Sequence, residues 1–151
     1  MAISACNTNP FLTEWTGADA FPPFDKIKTS DFVPAVKAGI EQQEAEVNAI
    51  VTNEAAPTFE NTIAAYELSG EILAKTLGVL YNVSESDATP EMQAVMDEVT
   101  PLLTASSDNI FMNKAFFERV KAVYADSSSL DREQYMVTKK LYKYFVDNGI
   151  S

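Results

Sequence analysis

In five stretches of this chain the large apolar residues recur three, four or seven positions apart, and each stretch opens on a proline or a side chain suited to capping. That spacing collects side chains on one face of a 3.6-residue helix but scatters them over both faces of a strand, so it calls for helices. The first helix is expected from Ser30 or Asp31, both good N-caps, with Pro34 tolerated only in the opening turn. Its apolar face is Val33, Val36, Ile40, Val47 and Val51, and Glu41, Gln42, Glu44 and Glu46 are assigned to a solvated face.

Pro57 and Thr58 announce a second helix. It has one apolar row of Phe59, Ile63, Tyr66, Leu73, Leu77 and Leu80 and another of Leu68, Ile72, Val79 and Val83. Two rows imply burial on more than one side, hence a central position. Gly70 falls inside this helix, where glycine costs about 1 kcal/mol against alanine; a backbone crossing closely there would explain it. Thr89-Pro90 opens the third helix, with Met92, Val95, Met96, Val99, Leu102 and Leu103 on its face, and Pro101 is expected to kink it or end it near Thr100. Asn113 caps a fourth helix carrying Phe116, Phe117, Val120, Val123 and Tyr124. After a Ser127-Ser128-Ser129 loop, Asp131 starts a fifth with Tyr135, Thr138, Leu141, Tyr142 and Phe145, and Gly149 is its C-terminal cap. The fold class is therefore all-α, about five antiparallel helices in a bundle-like array (residues 30–151). Residues 1–29 form an extended N-terminal arm broken by Pro10, Gly17, Pro22 and Pro23. The arm carries Phe11, Leu12, Trp15, Phe21, Phe24 and Ile27, too much apolar surface to leave in water, so it is expected to pack on the helices or on something outside this chain.

The chemistry available is narrow. The 151 residues contain no histidine, which removes imidazole bases, Ser-His and Cys-His pairs and histidine zinc sites. Cys6 is the one cysteine, so no intrachain disulfide forms. A net charge of −11 repels phosphate backbones and anionic lipids; it favours solubility, or the attraction of cationic peptides or a basic partner. No stretch reaches the roughly 18 apolar residues of a membrane helix. Ile3-Ser4-Ala5-Cys6 resembles a bacterial lipobox, but only Met1 and Ala2 precede it. It reads either as the stump of a trimmed signal peptide or as coincidence, leaving a cell-envelope lipoprotein and a cytoplasmic protein both open.

Carboxylates are plentiful but not visibly paired. Glu41/Glu44, Glu67/Glu71 and Asp97/Glu98 are helix-surface neighbours rather than an acid pair or a metal site. Asn82-Val83-Ser84 matches a glycosylation sequon but lies on the expected second helix. No catalytic, cofactor-binding or metal-ligating residue is assigned.

An ordered set of short segments carries a resemblance. It runs through Asn9-Pro10-Phe11-Leu12, Pro22-Pro23-Phe24-Asp25-Lys26-Ile27-Lys28, Phe32-Val33-Pro34-Ala35 and Ala45-Glu46-Val47-Asn48-Ala49-Ile50. It continues through Pro57-Thr58-Phe59-Glu60-Asn61-Thr62-Ile63, Glu67-Leu68-Ser69-Gly70-Glu71-Ile72-Leu73 and Glu91-Met92-Gln93-Ala94. Asp108-Asn109-Ile110-Phe111-Met112-Asn113 and Phe117-Glu118-Arg119-Val120-Lys121-Ala122-Val123-Tyr124 complete it. In this order the segments resemble the N-terminal region of bacterial peptidyl-dipeptidases (dipeptidyl carboxypeptidases), zinc metallopeptidases grouped with oligopeptidase A and thimet oligopeptidase.

The resemblance implies a much longer, mostly helical protein. Its single zinc, held by a His-Glu-x-x-His helix and a downstream Glu, lies in a C-terminal catalytic part with no counterpart here, so this chain would be a cloned fragment or a truncated product. The N-terminal helices would form one wall of a channel admitting short peptides, from which dipeptides are released at the C-terminal end. The implied partners are that catalytic part and, for the whole enzyme, short peptides. The arm and the fifth helix, with Tyr142, Tyr144, Phe145 and Ile150, are expected to face the catalytic part in some measure, and an isolated chain to expose an apolar patch or self-associate. The alternatives are a free-standing helical interaction module and a carboxylate hydrolase.

Overall fold

The computed structural model describes residues 9–15, 22–24 and 26–150. Its regular structure is helical, with no strand among the described residues. Five long helices, α1 (Phe32–Val51), α3 (Glu71–Ser86), α4 (Pro90–Phe111), α5 (Lys114–Ala125) and α6 (Arg132–Asp147), follow one another in the chain. Between α1 and α3 a π-helical turn, Phe59–Ala64, runs into the short α2 (Ala65–Glu67). Turns of 3-10 helix stand at Pro10–Leu12, Thr29–Asp31 and Ser127–Ser129. The lipobox-like Ile3–Cys6 and Phe21 lie outside the described residues.

Most helix starts follow from local capping. Thr58, Thr89, Asn113 and Asp131 accept hydrogen bonds from the amides of Asn61, Met92, Phe116 and Gln134 at 2.8–3.2 Å. Each such cap contributes about 1 kcal/mol by satisfying an amide the helix leaves free. The start of α1 differs from expectation. The Asp31 carboxylate turns back to the Lys28 amide at 2.7 Å and closes the preceding 3-10 turn instead of capping α1.

The apolar faces close two cores. One gathers Phe11, Phe32, Val36, Leu80, Met92 and Val99; the other gathers Val47, Ile63, Phe116, Phe117, Val120 and Phe145. Two helices serve both. α1 gives Phe32 and Val36 to the first and Val47 and Ile50 to the second, and α4 gives Val95 and Val99, then Ile110. The central element is therefore α1, which packs against α3, α4 and α5. The segment expected to be central is cut at Leu68–Gly70, and Leu68 is 81% exposed. Phe11 is fully buried, its ring centroid 5.4 Å from that of Phe32. Burying a side chain of that size stabilises by roughly 1.5–3 kcal/mol. Asn9 holds the same stretch by donating to the Asp31 carbonyl at 2.8 Å, and Lys75 donates to the Thr13 carbonyl at 2.8 Å.

Two glycines set how α1 meets α3. Gly39 is buried where the backbones cross: a Cβ there would stand 2.8 Å from the Leu73 nitrogen and 2.9 Å from its Cα. The close crossing anticipated at Gly70 is thus at Gly39. Gly70 instead takes φ +71°, the left-handed region that glycine enters without strain, and breaks the helix. Its amide donates to Glu46 at 2.9 Å and that of Ile72 donates to Gln42 at 3.2 Å. Gln42 and Glu46, assigned above to a solvated face, therefore cap α3 from α1, with Glu46 placed where the helix dipole favours negative charge. Pro101 does not end its helix: α4 continues to Phe111. The proline is exposed and removes one backbone donor, while Val99 and Ile110 anchor the helix on either side of it.

An added methyl is expected to act in opposite directions at the crossing glycine, Gly39, and at Gly78, which has open space around it. Gly39→Ala should destabilise by about 1–3 kcal/mol, because the new methyl meets backbone that cannot yield. Gly78→Ala, mid-α3 with nothing within 4 Å of the added carbon, should stabilise by up to about 1 kcal/mol. Urea denaturation followed by circular dichroism reads both; a Gly39→Ala protein as stable as wild type would contradict the crossing.

Candidate functional site

The acidic residues singled out in the sequence are not brought together. Glu67 ends α2 and Glu71 begins α3, on either side of the break. Asp97 accepts from the side-chain Nε2 of Gln93 at 2.9 Å, and Glu98 and Glu41 are exposed. Glu44 borders a shallow pocket of about 260 Å³ with Val47, Asn48, Asn109, Ile110 and Asn113, where no second carboxylate faces it. Acid pairs in hydrolases need two carboxyls across one reacting centre, and this arrangement supplies one. Among the described residues no group of three or more His, Cys, Asp or Glu side chains could hold a metal ion. Asn82 is exposed on α3, within the helix as expected.

A larger groove, about 440 Å³, runs between the end of α1 (Glu46, Ala49, Ile50) with the following Asn53 and the segment carrying Asn61, Ala65 and Leu68. Its end is held by Arg119 of α5. That guanidinium donates to the carbonyls of Asn53 and Ala55 at 3.0 and 3.2 Å and to Asn61 Oδ1 at 3.2 Å. Asn61 in turn donates to the Ala56 carbonyl at 2.9 Å and accepts from the Thr58 amide at 2.8 Å. One cation thus closes the loop between α1 and the π-helical turn, a role not assigned to Arg119 from the sequence. The available signal was its position three residues after the buried Phe116 and one before the buried Val120, on the inner side of α5.

Where α2, α4 and α6 converge, a second feature forms. The Phe111 ring lies 4.5 Å from that of Tyr144 and 6.4 Å from that of Tyr66, centroid to centroid. Tyr144 is 50% exposed and Met112, next to Phe111, is 58% exposed. Partial burial pushes the Tyr66 phenol up to about 12, helped by the nearby Glu67 carboxylate and Tyr144. Of the four side chains on α6 and just after it that were expected in part to face outward, Tyr144 alone is exposed. Phe145 and Ile150 are buried in this chain's own second core. Tyr142 stacks between Phe117 at 5.7 Å and Tyr124 at 4.6 Å. The reason is that α6 spends its apolar face closing the core against α5, leaving Tyr144 at its edge. On the arm, Leu12 and Phe24 are exposed while Phe11 is not.

The described residues define an all-helical region in which no metal-binding group gathers. No family model matches the chain. The dipeptidyl carboxypeptidase of Salmonella typhimurium is 34% identical over 145 residues, covering 95% of this chain and 21% of that protein. That of Escherichia coli is 33% identical over 143 residues, covering 93% and 21%. Oligopeptidase A of Salmonella typhimurium is 24% identical over 143 residues, covering 95% and 20%. Over nearly its whole length the chain is similar to an N-terminal region of the dipeptidyl carboxypeptidases and oligopeptidase A. It spans about a fifth of the length of these curated relatives, and the two dipeptidyl carboxypeptidases are more similar to it than the oligopeptidase A.

The raised Tyr66 pKa gives a signed prediction. In the unfolded chain a tyrosine ionises near 10, in the folded chain Tyr66 near 12. Its contribution to stability is fully present below about pH 10 and is lost as pH rises towards 12. Stability measured by denaturant titration across that window should fall more steeply for wild type than for Tyr66→Phe; equal slopes would contradict the assignment.

Proposed function

We propose that this chain is the non-catalytic N-terminal helical part of a zinc peptidyl-dipeptidase. In that reading its helices form one wall of the channel admitting short peptides, whose C-terminal dipeptides the whole enzyme releases. The observation that carries the reading is the extent of the match: 95% of this chain pairs with 21% of a dipeptidyl carboxypeptidase.

The physical character of the chain supports it. Without histidine and without a metal-binding cluster among the described residues, this chain does not fit a zinc site, so the ion and the hydrolytic step belong to polypeptide outside the match. An all-helical wall keeps its backbone hydrogen bonds internal and offers no strand edge on which a peptide could add, so it confines a substrate without gripping its backbone. The net charge of −11 adds attraction for cationic peptides.

The test is an exchange. The matched region of the Salmonella typhimurium dipeptidyl carboxypeptidase is replaced by this chain, and release of dipeptides from short peptides is followed by mass spectrometry. The hybrid should retain dipeptide release and leave folded proteins intact. A hybrid that folds, binds zinc and cleaves nothing would overturn the proposal.

A further inference from the structure

We infer that the seam between α5 and α6 is a site of oxidative cross-linking, where a one-electron oxidant couples Tyr124 to Tyr142 through a carbon–carbon bond between their rings. The bond joins two side chains of this chain and does not depend on the proposed function.

The spacing of the residues sets the geometry. Seven residues of helix rise about 10.5 Å, and half of that is a stacking distance for two rings. Phe117 and Tyr124 stand seven apart on α5, and Tyr135 and Tyr142 stand seven apart on α6. The two helices pack on each other, and their rings interleave into one column in the order Phe117, Tyr142, Tyr124, Tyr135. Successive centroids are 5.7, 4.6 and 6.0 Å apart, and successive planes are inclined by 18°, 11° and 16°.

Three of the chain's six tyrosines therefore stack directly on one another. The others do not: Tyr66 and Tyr144 each pack on Phe111, and Tyr81 is exposed on α3. Tyr124 and Tyr142 are the closest pair of the column and are half-buried, so an oxidant in solvent reaches their edges. Among the described residues no cation stands over either ring. Lys139 Nζ lies 6.0 Å from the centroid of Tyr135, where a positive charge opposes removal of an electron.

In the reaction each phenol gives one electron to the oxidant and one proton to water. The phenoxyl radical left behind shares its unpaired spin with the ring carbons next to the one bearing oxygen. Two such radicals in contact pair those electrons in one carbon–carbon bond. Each ring then regains aromaticity by moving the hydrogen of the bonded carbon to its oxygen, so the product keeps both hydroxyls and is two hydrogens lighter. Persulfate as the electron acceptor takes up the two electrons and becomes two sulfate ions. With one cysteine the chain forms no intrachain disulfide, and this bond would act as one, tying α5 to α6 and restricting the unfolded chain.

The purified 151-residue chain, kept dilute, is illuminated with tris(bipyridine)ruthenium and persulfate, and the monomer is isolated and digested with trypsin. Arg132, Lys139, Lys140 and Lys143 put Tyr124, Tyr135, Tyr142 and Tyr144 on separate peptides, so mass spectrometry identifies the partners. Wild type should show dityrosine fluorescence in the monomer, a cross-linked peptide pair carrying Tyr124 and Tyr142, and a raised thermal midpoint. Tyr124→Phe keeps the ring and should keep the helicity, but should lose this product. Tyr81→Phe and Tyr135→Phe should retain it. Wild type unfolded in urea should lose it, because the stack no longer holds the rings together. A monomer without a cross-link, a cross-link that survives Tyr124→Phe or urea, or one that joins other tyrosines would overturn the inference and leave the proposed function untouched.

Discussion

The contact on which the rest of the structure depends is the crossing of α1 and α3 at Gly39. With no side chain there, the Leu73 backbone comes within the distance a methyl would occupy. That approach brings Gln42 and Glu46 of α1 to the first amides of α3, which have no capping side chain of their own. Two orphan donors, normally satisfied within a few residues, are instead satisfied across more than twenty positions of sequence. The cost of breaking the helical run at Gly70 is offset by this cross-helix cap, and the break frees the π-helical turn and α2 to lie over the second core.

From that crossing the two cores divide the labour. The first is closed by Phe11, which comes from far outside the helices it joins, and the second by the pairing of α5 with α6. α1 and α4 run through both, so the halves are joined by continuous helix rather than by loops. Such a scaffold holds the surfaces around it in fixed relation: the groove beside Leu68 and the aromatic face at Tyr144 are carried by elements rooted in the same second core. Catalytic groups need converging side chains of opposed proton affinity, and the acidic residues described here are spread along separate helices.

What the sequence made legible was local. The all-α class, the starts at Thr58, Thr89, Asn113 and Asp131, and the buried faces of α4 and α5 rest on spacing and on caps within three residues, where the physics is short-range. What it hid was decided across the fold. A glycine inside an apolar period can be a packing notch or a break, and Gly39 and Gly70 are one of each; nothing nearby in sequence distinguishes them. Pro101 signalled a kink or a helix end, and burial at Val99 and Ile110 carries the helix past it to Phe111. Phe145 and Ile150 were indistinguishable by pattern from Tyr144, because a wide apolar stripe does not say which edge stays in solvent. The family relation was readable from ordered short segments, since the match to dipeptidyl carboxypeptidases extends along nearly the whole chain.

In the proposed function this chain supplies structure and surface, and bond cleavage falls to polypeptide of the kind that makes up the rest of its relatives. The most direct measurement is incubation of the purified 151-residue chain with short peptides and added zinc, with products resolved by mass spectrometry. No dipeptide should accumulate beyond the uncatalysed background. Steady dipeptide release that copurifies with the chain and disappears on chelation would contradict the account at its centre.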